Sequence, residues 1–209
     1  MKFLVMLSFT ILFVLAAKKG STQTCTLSCP SNIVAKADSG KEGTIVSFPS
    51  VTSAGDCGTI TYSPASGSFF RLGSHSIIAT TSSGQKCYFT ITVTDNEPPV
   101  VSELNLSLKK LWPASNKMKK VAVYYTAKDN GQDVNSVLTV SSNAQDSTTR
   151  DWEIIDNHLI RLKASRLPNG EVRIYTITVT STDDAGNITR RTTSIAVSKT
   201  MTARPLVKN

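Results

Sequence analysis

Histidine is scarce in this 209-residue chain. The two present, His75 and His158, sit in no nucleophile-elbow glycine pattern and at no metal-ligand spacing. Catalysis needs a positioned acid, base or nucleophile, so both are expected to be structural and the chain is expected not to be an enzyme. Cysteine is missing from the whole second half, and no CxxC pair occurs in the first, which argues against a zinc site. Beyond residue 17 there is no long apolar run, so no further membrane segment is expected. A one-sided charge is also missing from the interior of the chain. Residues 20–97 hold four basic and five acidic groups, and residues 98–197 hold thirteen and ten. The rest of the formal +8 sits near the ends, in Lys2, Lys18, Lys19, Lys199, Arg204 and Lys208. A nucleic-acid partner is therefore not expected.

What is present points to export and to β-structure. Residues 3–17, FLVMLSFTILFVLAA behind Lys2, form an apolar stretch too short for a confident membrane span and suited to a secretory signal. Cleavage after Ala16 or Ala17 is compatible with the small-residue rule, and residues 1–17 are taken as the signal peptide. The four cysteines, Cys25, Cys29, Cys57 and Cys87, then read as two disulfides of a secreted or cell-surface protein, with three connectivities open.

Residues 43–51 (GTIVSFPSV) and 85–95 (QKCYFTITVTD) alternate with the period of two that marks half-buried strands. In the latter, Cys87, Phe89, Ile91 and Val93 share one face. The pattern returns at 173–180, RIYTITVT, where Tyr175, Ile177 and Val179 point one way. Gly and Pro fall between these runs too often for a sustained helix. Pro98 and Pro99 cannot donate to a ladder, so they end one unit and stiffen the join to the next. The expectation is an all-β chain of two immunoglobulin-like sandwiches in tandem, at 25–97 and 98–199, with a flexible tail at 200–209. The second unit supports seven strands, near 100–108, 119–128, 134–141, 152–156, 158–166, 172–181 and 188–198. Lacking cysteine, its core is expected to rest on Trp112, Trp152, Tyr175 and the aliphatics.

The first unit opens with Cys29-Pro30-Ser31-Asn32-Ile33 and continues through GDCG at 55–58 and GSFFRLG at 67–73. It closes with CYFTITVTDNEPP at 87–99. In order and spacing this resembles the hyalin repeat (HYR) domain over about 70 residues. The resemblance implies an extracellular immunoglobulin-like module concerned with adhesion or with presenting other domains. It also implies a bridge between Cys29 and Cys87, with Cys25 pairing with Cys57. Two departures are visible: no second cysteine occurs near Lys41 and Glu42, and the turn at 79–85 lacks the usual Asp. The second unit is similar to an immunoglobulin-like module of secreted bacterial proteins, through LKKLWPASNKMKKVAV, TAKDNG, LIRLKASR and RIYTITVTSTDDAGN.

Two turns crowd oxygen ligands: Asp183, Asp184 and Asn187 in one, Asp129, Asn130 and Asp133 in the other. Turn chemistry alone selects Asp, Asn and Gly, but calcium takes the same oxygens. Both turns follow strands that can run the same way, which would put Asp129 and Asp183 at one end, with Asp95 and Glu97 of the linker available to join them. No cofactor is required for the fold; calcium is the possible one. Trp112, beside Lys109 and Lys110, is a speculative ligand platform. The expected role is a non-catalytic extracellular adhesion or structural protein whose partner is a protein or glycan surface, the alternative being a carbohydrate-binding module.

Overall fold

The computed structural model describes residues 23–131, 133–144 and 151–199. The expected signal peptide and tail lie outside them. Every regular element among the described residues is a β-strand. In the first half these are β1 (Thr26–Ser28), β2 (Ile33–Lys36), β3 (Gly43–Val46), β4 (Thr52–Ala54), β5 (Ile60–Ser63), β6 (Ser68–Arg71), β7 (Gly73–Thr81) and β8 (Lys86–Thr94). The second half carries β9 (Val100–Val101), β10 (Asn105–Leu106), β11 (Met118–Tyr124), β12 (Ala127–Lys128), β13 (Val134–Ser142), β14 (Trp152–Asp156), β15 (Leu159–Lys163), β16 (Ile174–Asp183) and β17 (Ile188–Ala196).

The first half packs a four-stranded sheet, in the order β2-β8-β7-β5, against the pair β3–β6. Strand β2 runs parallel to β8, with Ile33 opposite Ile91. The alternation read at 85–95 appears directly as burial: Cys87, Phe89, Ile91 and Val93 face inward beside Ile77, Phe70, Phe48 and Val46. Phe48 meets Phe89 and Tyr62 edge-on, at 5.1 and 5.5 Å between ring centroids. The strand expected over 43–51 is shorter, ending at Val46. Pro49 has no amide hydrogen to give a ladder, and the Phe48 amide turns to the Ser66 hydroxyl at 2.9 Å. Disulfides Cys25–Cys57 and Cys29–Cys87 tie the opening segment to this small core.

The second half forms a sandwich of β10-β11-β15-β14 against β13-β16-β17, with β9 and β12 as a separate ribbon. Where single strands were expected over 100–108 and 119–128, the chain makes one antiparallel ribbon with a corner. Val101 pairs with Ala127 and Leu106 with Val123, and between them the Ser102 hydroxyl accepts the Thr126 amide at 3.0 Å. The corner lets Leu104 turn into the core. That core is one continuous cluster including Leu111, Val121, Ile160, Leu162, Tyr175, Ile177, Val179 and Ile195. Trp152 packs edge-on against Tyr175, 6.4 Å between centroids. Trp112, expected in the core, is 37% exposed; its neighbour Leu111 takes the buried position and bridges to Val197.

A polar network closes the β14–β15 end of this sandwich. Asp151, buried, is paired with Arg173, also buried, and with Lys163 at 3.2 Å. The Tyr175 hydroxyl donates to the carbonyls of Lys163 and Asp151 at 2.9 and 3.2 Å. Burial pushes the Asp151 carboxyl up, but the hydrogen bonds from Arg173 and Lys163 outweigh it and hold the group below its ordinary value. Its contribution is therefore present above pH about 4 and lost as the pH falls through the lowered value.

The two halves rely on different supports, which thermal melts separate. Closing loops across 32 and 58 positions contributes about 3.7 and about 4.2 kcal/mol in the chain-entropy model. Reductant is expected to abolish most of the first half's stability and leave the second half's transition in place. Asp151→Ala strands a buried guanidinium and is expected to cost the second half about 3–5 kcal/mol while sparing the first.

Candidate functional site

Strand β8 ends at Thr94, and the next residue, Asp95, is 9% exposed. The prolines that follow direct the chain into β9, which pairs with β12. Asp129 and Asn130 come immediately after β12. Asp183 is the last residue of β16 and is buried. These three strand ends converge, so that carboxylate oxygens of Asp95, Asp129 and Asp183 lie within 4.8 Å of one another. One acid comes from the first sandwich and two from the second.

The surrounding hydrogen bonds fix the carboxylates without neutralising them. Asp95 Oδ1 accepts from the Glu97 amide at 3.0 Å and from Asn130 Nδ2 at 3.1 Å. Asp183 Oδ1 accepts the Asn187 amide at 2.8 Å and Oδ2 accepts Asn187 Nδ2 at 2.9 Å. That bracing depends on the turn at 183–187, where Gly186 takes φ +89° and its amide donates to the Asp183 carbonyl. Asp129 Oδ2 and Asn130 Oδ1 are shielded from solvent and have no hydrogen-bond partner. Burial, and then the nearby charges of Asp95 and Asp183, push the Asp129 carboxyl above its ordinary value.

The donor set is all hard oxygen: three carboxylates and the Asn130 carbonyl. Magnesium or calcium suits it, and a soft thiolate-seeking metal does not. Three acids at this spacing repel unless a proton or a cation is shared among them, and the unpartnered Asp129 and Asn130 oxygens are acceptors left for one.

Of the residues singled out from sequence, Asp129, Asp183 and the linker acid Asp95 stand together. Asp184 is not one of the three clustered acids; it is exposed and lines a crevice with Leu72, Gly73, Thr94 and Asp95 itself. Asn187 braces Asp183 through its amide nitrogens. Glu97 turns back to the first sandwich, where the Ser39 hydroxyl and Gly40 amide donate to it at 2.5 and 2.7 Å and lower its pKa. Asp133 is exposed and apart from the cluster. His75 Nε2 bonds the Arg71 carbonyl at 2.7 Å, and His158 Nδ1 bonds that of Val123 at 3.1 Å while its ring stacks on Tyr125. Sequence reasoning passed over the Asp151–Arg173 network, whose partners are 22 positions apart and carry no motif.

The halves also touch beside the acids. At Gly131, φ +109°, an added Cβ would lie 2.7 Å from Glu42 Cγ of the first sandwich. Glu42 is itself held by Arg71 at 2.5 Å.

Residues 21–93 match the HYR domain family. No curated protein matches the chain. Among solved structures, it is similar to the CbhA fibronectin(III)-like modules of Clostridium thermocellum, at 15% identity and TM-score 0.34, covering 83% of this chain and 94% of that one. It is also similar to human mucin-like protocadherin EC1-2, at 13% identity and TM-score 0.38 over 83% and 97% of the two chains. A third is the protocadherin GammaB4 extracellular domain, at 14% identity and TM-score 0.39 over 83% of this chain and 32% of that one.

The raised Asp129 predicts a pH dependence whose sign is fixed. A carboxyl with a higher pKa folded than unfolded holds its proton longer in the native state, so its stabilisation is present at low pH and lost as the pH rises through the raised value. Without divalent cations, denaturant titrations from pH about 4 to 7 are expected to show wild type losing stability relative to Asp129→Asn. Taking the difference cancels Asp151, which acts with the opposite sign in both proteins. A difference that does not change with pH would remove the case for carboxylate strain at this site.

Proposed function

We propose that this chain is an exported, non-catalytic protein of two sandwich modules, residues 25–97 and 98–199, whose join is stiffened by a calcium ion so that it serves as an adhesive or presenting rod. The observation that carries the reading is the meeting of Asp95 from one module with Asp129 and Asp183 from the other. A cation held there would be shared by both modules, and its removal would leave three acids in mutual repulsion.

Asp95, Asp129 and Asp183 would hold the ion by their carboxylates and Asn130 by its carbonyl, with Asn187 orienting Asp183. Bound calcium supplies positive charge only; the chemistry is structural. Six to eight oxygens are usual for calcium, so water would complete the set. The pair of disulfides fits an oxidising compartment, which is also where calcium is abundant enough for a weak site. No helix among the described residues is long and apolar enough to cross a membrane. The match of residues 21–93 to the HYR domain supports an adhesion-type module in the first half.

Extracellular modules bind calcium with Kd of roughly 0.1–1 mM, and at 100 times Kd a native-only ligand adds about 2.7 kcal/mol. Calcium at that excess is therefore expected to raise the melting midpoint and to narrow the range of module orientations seen by small-angle scattering. Chelator should reverse both, and Asp183→Asn should abolish both. Titration heat and melting that are unmoved by calcium would sink the proposal and leave the three acids as turn and linker residues.

A further inference from the structure

Strand β17 runs antiparallel to β16, so its last residues lie at the end of the second sandwich away from Asp183. There the loop from Trp112 to Met118 is anchored on both sides. Leu111, before it, donates its amide to the Ala196 carbonyl at 2.9 Å and accepts the Ser198 amide at 3.0 Å. After it, the Asn116 amide donates to the Ala164 carbonyl at 3.0 Å, the Ala164 amide donates to the Lys117 carbonyl at 2.9 Å, and Met118 pairs with Lys163 of β15. Every residue from Trp112 to Met118 is exposed. The loop therefore projects from a fixed base.

Two chemistries share this projection. Because Leu111 takes the buried position, Trp112 is left 37% exposed at one end of the loop, and Met118 is 42% exposed at the other. Five of the twelve residues from 109 to 120 are lysine, and no acid occurs from 104 to 128. Lysines that only keep a surface soluble are interspersed with acids. The acids that other elements bring to this end are mostly committed, Asp151 to Arg173 and Lys163, and Glu153 to Arg161. Glu171, beside Lys163 and Arg166, offsets one charge. A layer of anionic headgroups over hydrocarbon is the complement of such a set: the indole has an apolar body and a polar N–H suited to that boundary, and lysine stems reach from it to phosphate. A linear polyanion would also meet the lysines, but a chain molecule is held along a groove or a flat row, and a projecting loop offers it neither.

We propose that this loop docks on the surface of an anionic lipid bilayer, Trp112 and Met118 entering the headgroup layer while Lys109, Lys117, Lys119 and Lys120 meet the lipid phosphates. The second sandwich then meets the bilayer by the end opposite the join. The docking is independent of the calcium reading, so the two proposals fail separately.

The test is co-sedimentation of the full mature chain with lipid vesicles in chelator, which keeps calcium from bridging protein to lipid. The probes are phosphatidylcholine vesicles, the same vesicles with about 30% phosphatidylglycerol, and soluble dextran sulfate. The phosphatidylglycerol vesicles are expected to bind at least about tenfold more tightly than the neutral ones and to release the chain as salt is raised. Each base at such a surface is worth about fivefold in partitioning, so Lys109→Glu with Lys117→Glu should weaken binding by about 25-fold or more. Both lysines are exposed, and melting of that variant should be unchanged. Trp112→Ala should weaken binding severalfold. No binding to either kind of vesicle, or equal binding to both, would overturn the proposal. So would binding that survives in both variants, which would belong to the basic residues near the ends of the chain. Capture of dextran sulfate without vesicle binding would also overturn it and make the lysines a site for an acidic polysaccharide.

Discussion

Carboxylates of Asp95, Asp129 and Asp183 held within 4.8 Å of one another are the constraint around which the two sandwiches meet. Like charges so placed are unfavourable in any solvent, and more so where burial has removed water from Asp129. Each acid is nonetheless pinned by backbone it cannot leave: Asp95 by the end of β8, Asp129 by the β9–β12 ribbon, Asp183 by its turn to Asn187. The ribbon is what converts a linker into a joint. It pairs the residues just past Pro99 with the strand leading to Asp129, so the first sandwich enters the second at a fixed place. Gly131 against Glu42 gives the same junction a second point of contact, at a backbone φ of +109° that favours glycine.

The two cores on either side solve the stability problem differently. The first has a smaller core, split into two clusters, and its two bridges tie residues near its start to Cys57 and Cys87. Small sandwiches bury too little surface to dispense with such ties. The second has a continuous aliphatic core around Tyr175 and no cysteine, and its open end is closed by Asp151 between Arg173 and Lys163. A buried ion pair of this kind adds little by itself relative to an apolar substitute, yet removing one member is severe, because the other stays buried and charged.

Legibility in the sequence followed periodicity. Alternation at 86–94 and 174–183 is a local property of neighbouring residues, and the burial pattern reproduces it position by position. The corner near Leu104 has no such signature: the ladder breaks between β9 and β10, and Leu104 enters the core at the break. Trp112 stands outside the expected core for a related reason: a hydrophobicity count does not tell which of Leu111 and Trp112 faces inward, and it is Leu111 that does. For the acids, strand direction sufficed to bring the turns of Asp129 and Asp183 to one end. Alternation separates Asp183 from Asp184 as well: the face that carries Tyr175, Ile177 and Val179 inward also carries Asp183, and Asp184 lies one residue past the strand, exposed.

Strand β16 then gives the second sandwich its polarity. It is the central strand of its sheet, hydrogen-bonded on both sides along nearly its whole length, so its two ends are the parts of the module least able to move relative to each other. One end presents a negative cluster to the neighbouring sandwich, and the other presents an excess of positive charge to solvent. Charges placed at opposite ends of a stiff strand scarcely screen one another, because about 33 Å exceeds the Debye length of physiological salt several times over. A cation at the join would set the direction in which the far end of the strand is held from the first module.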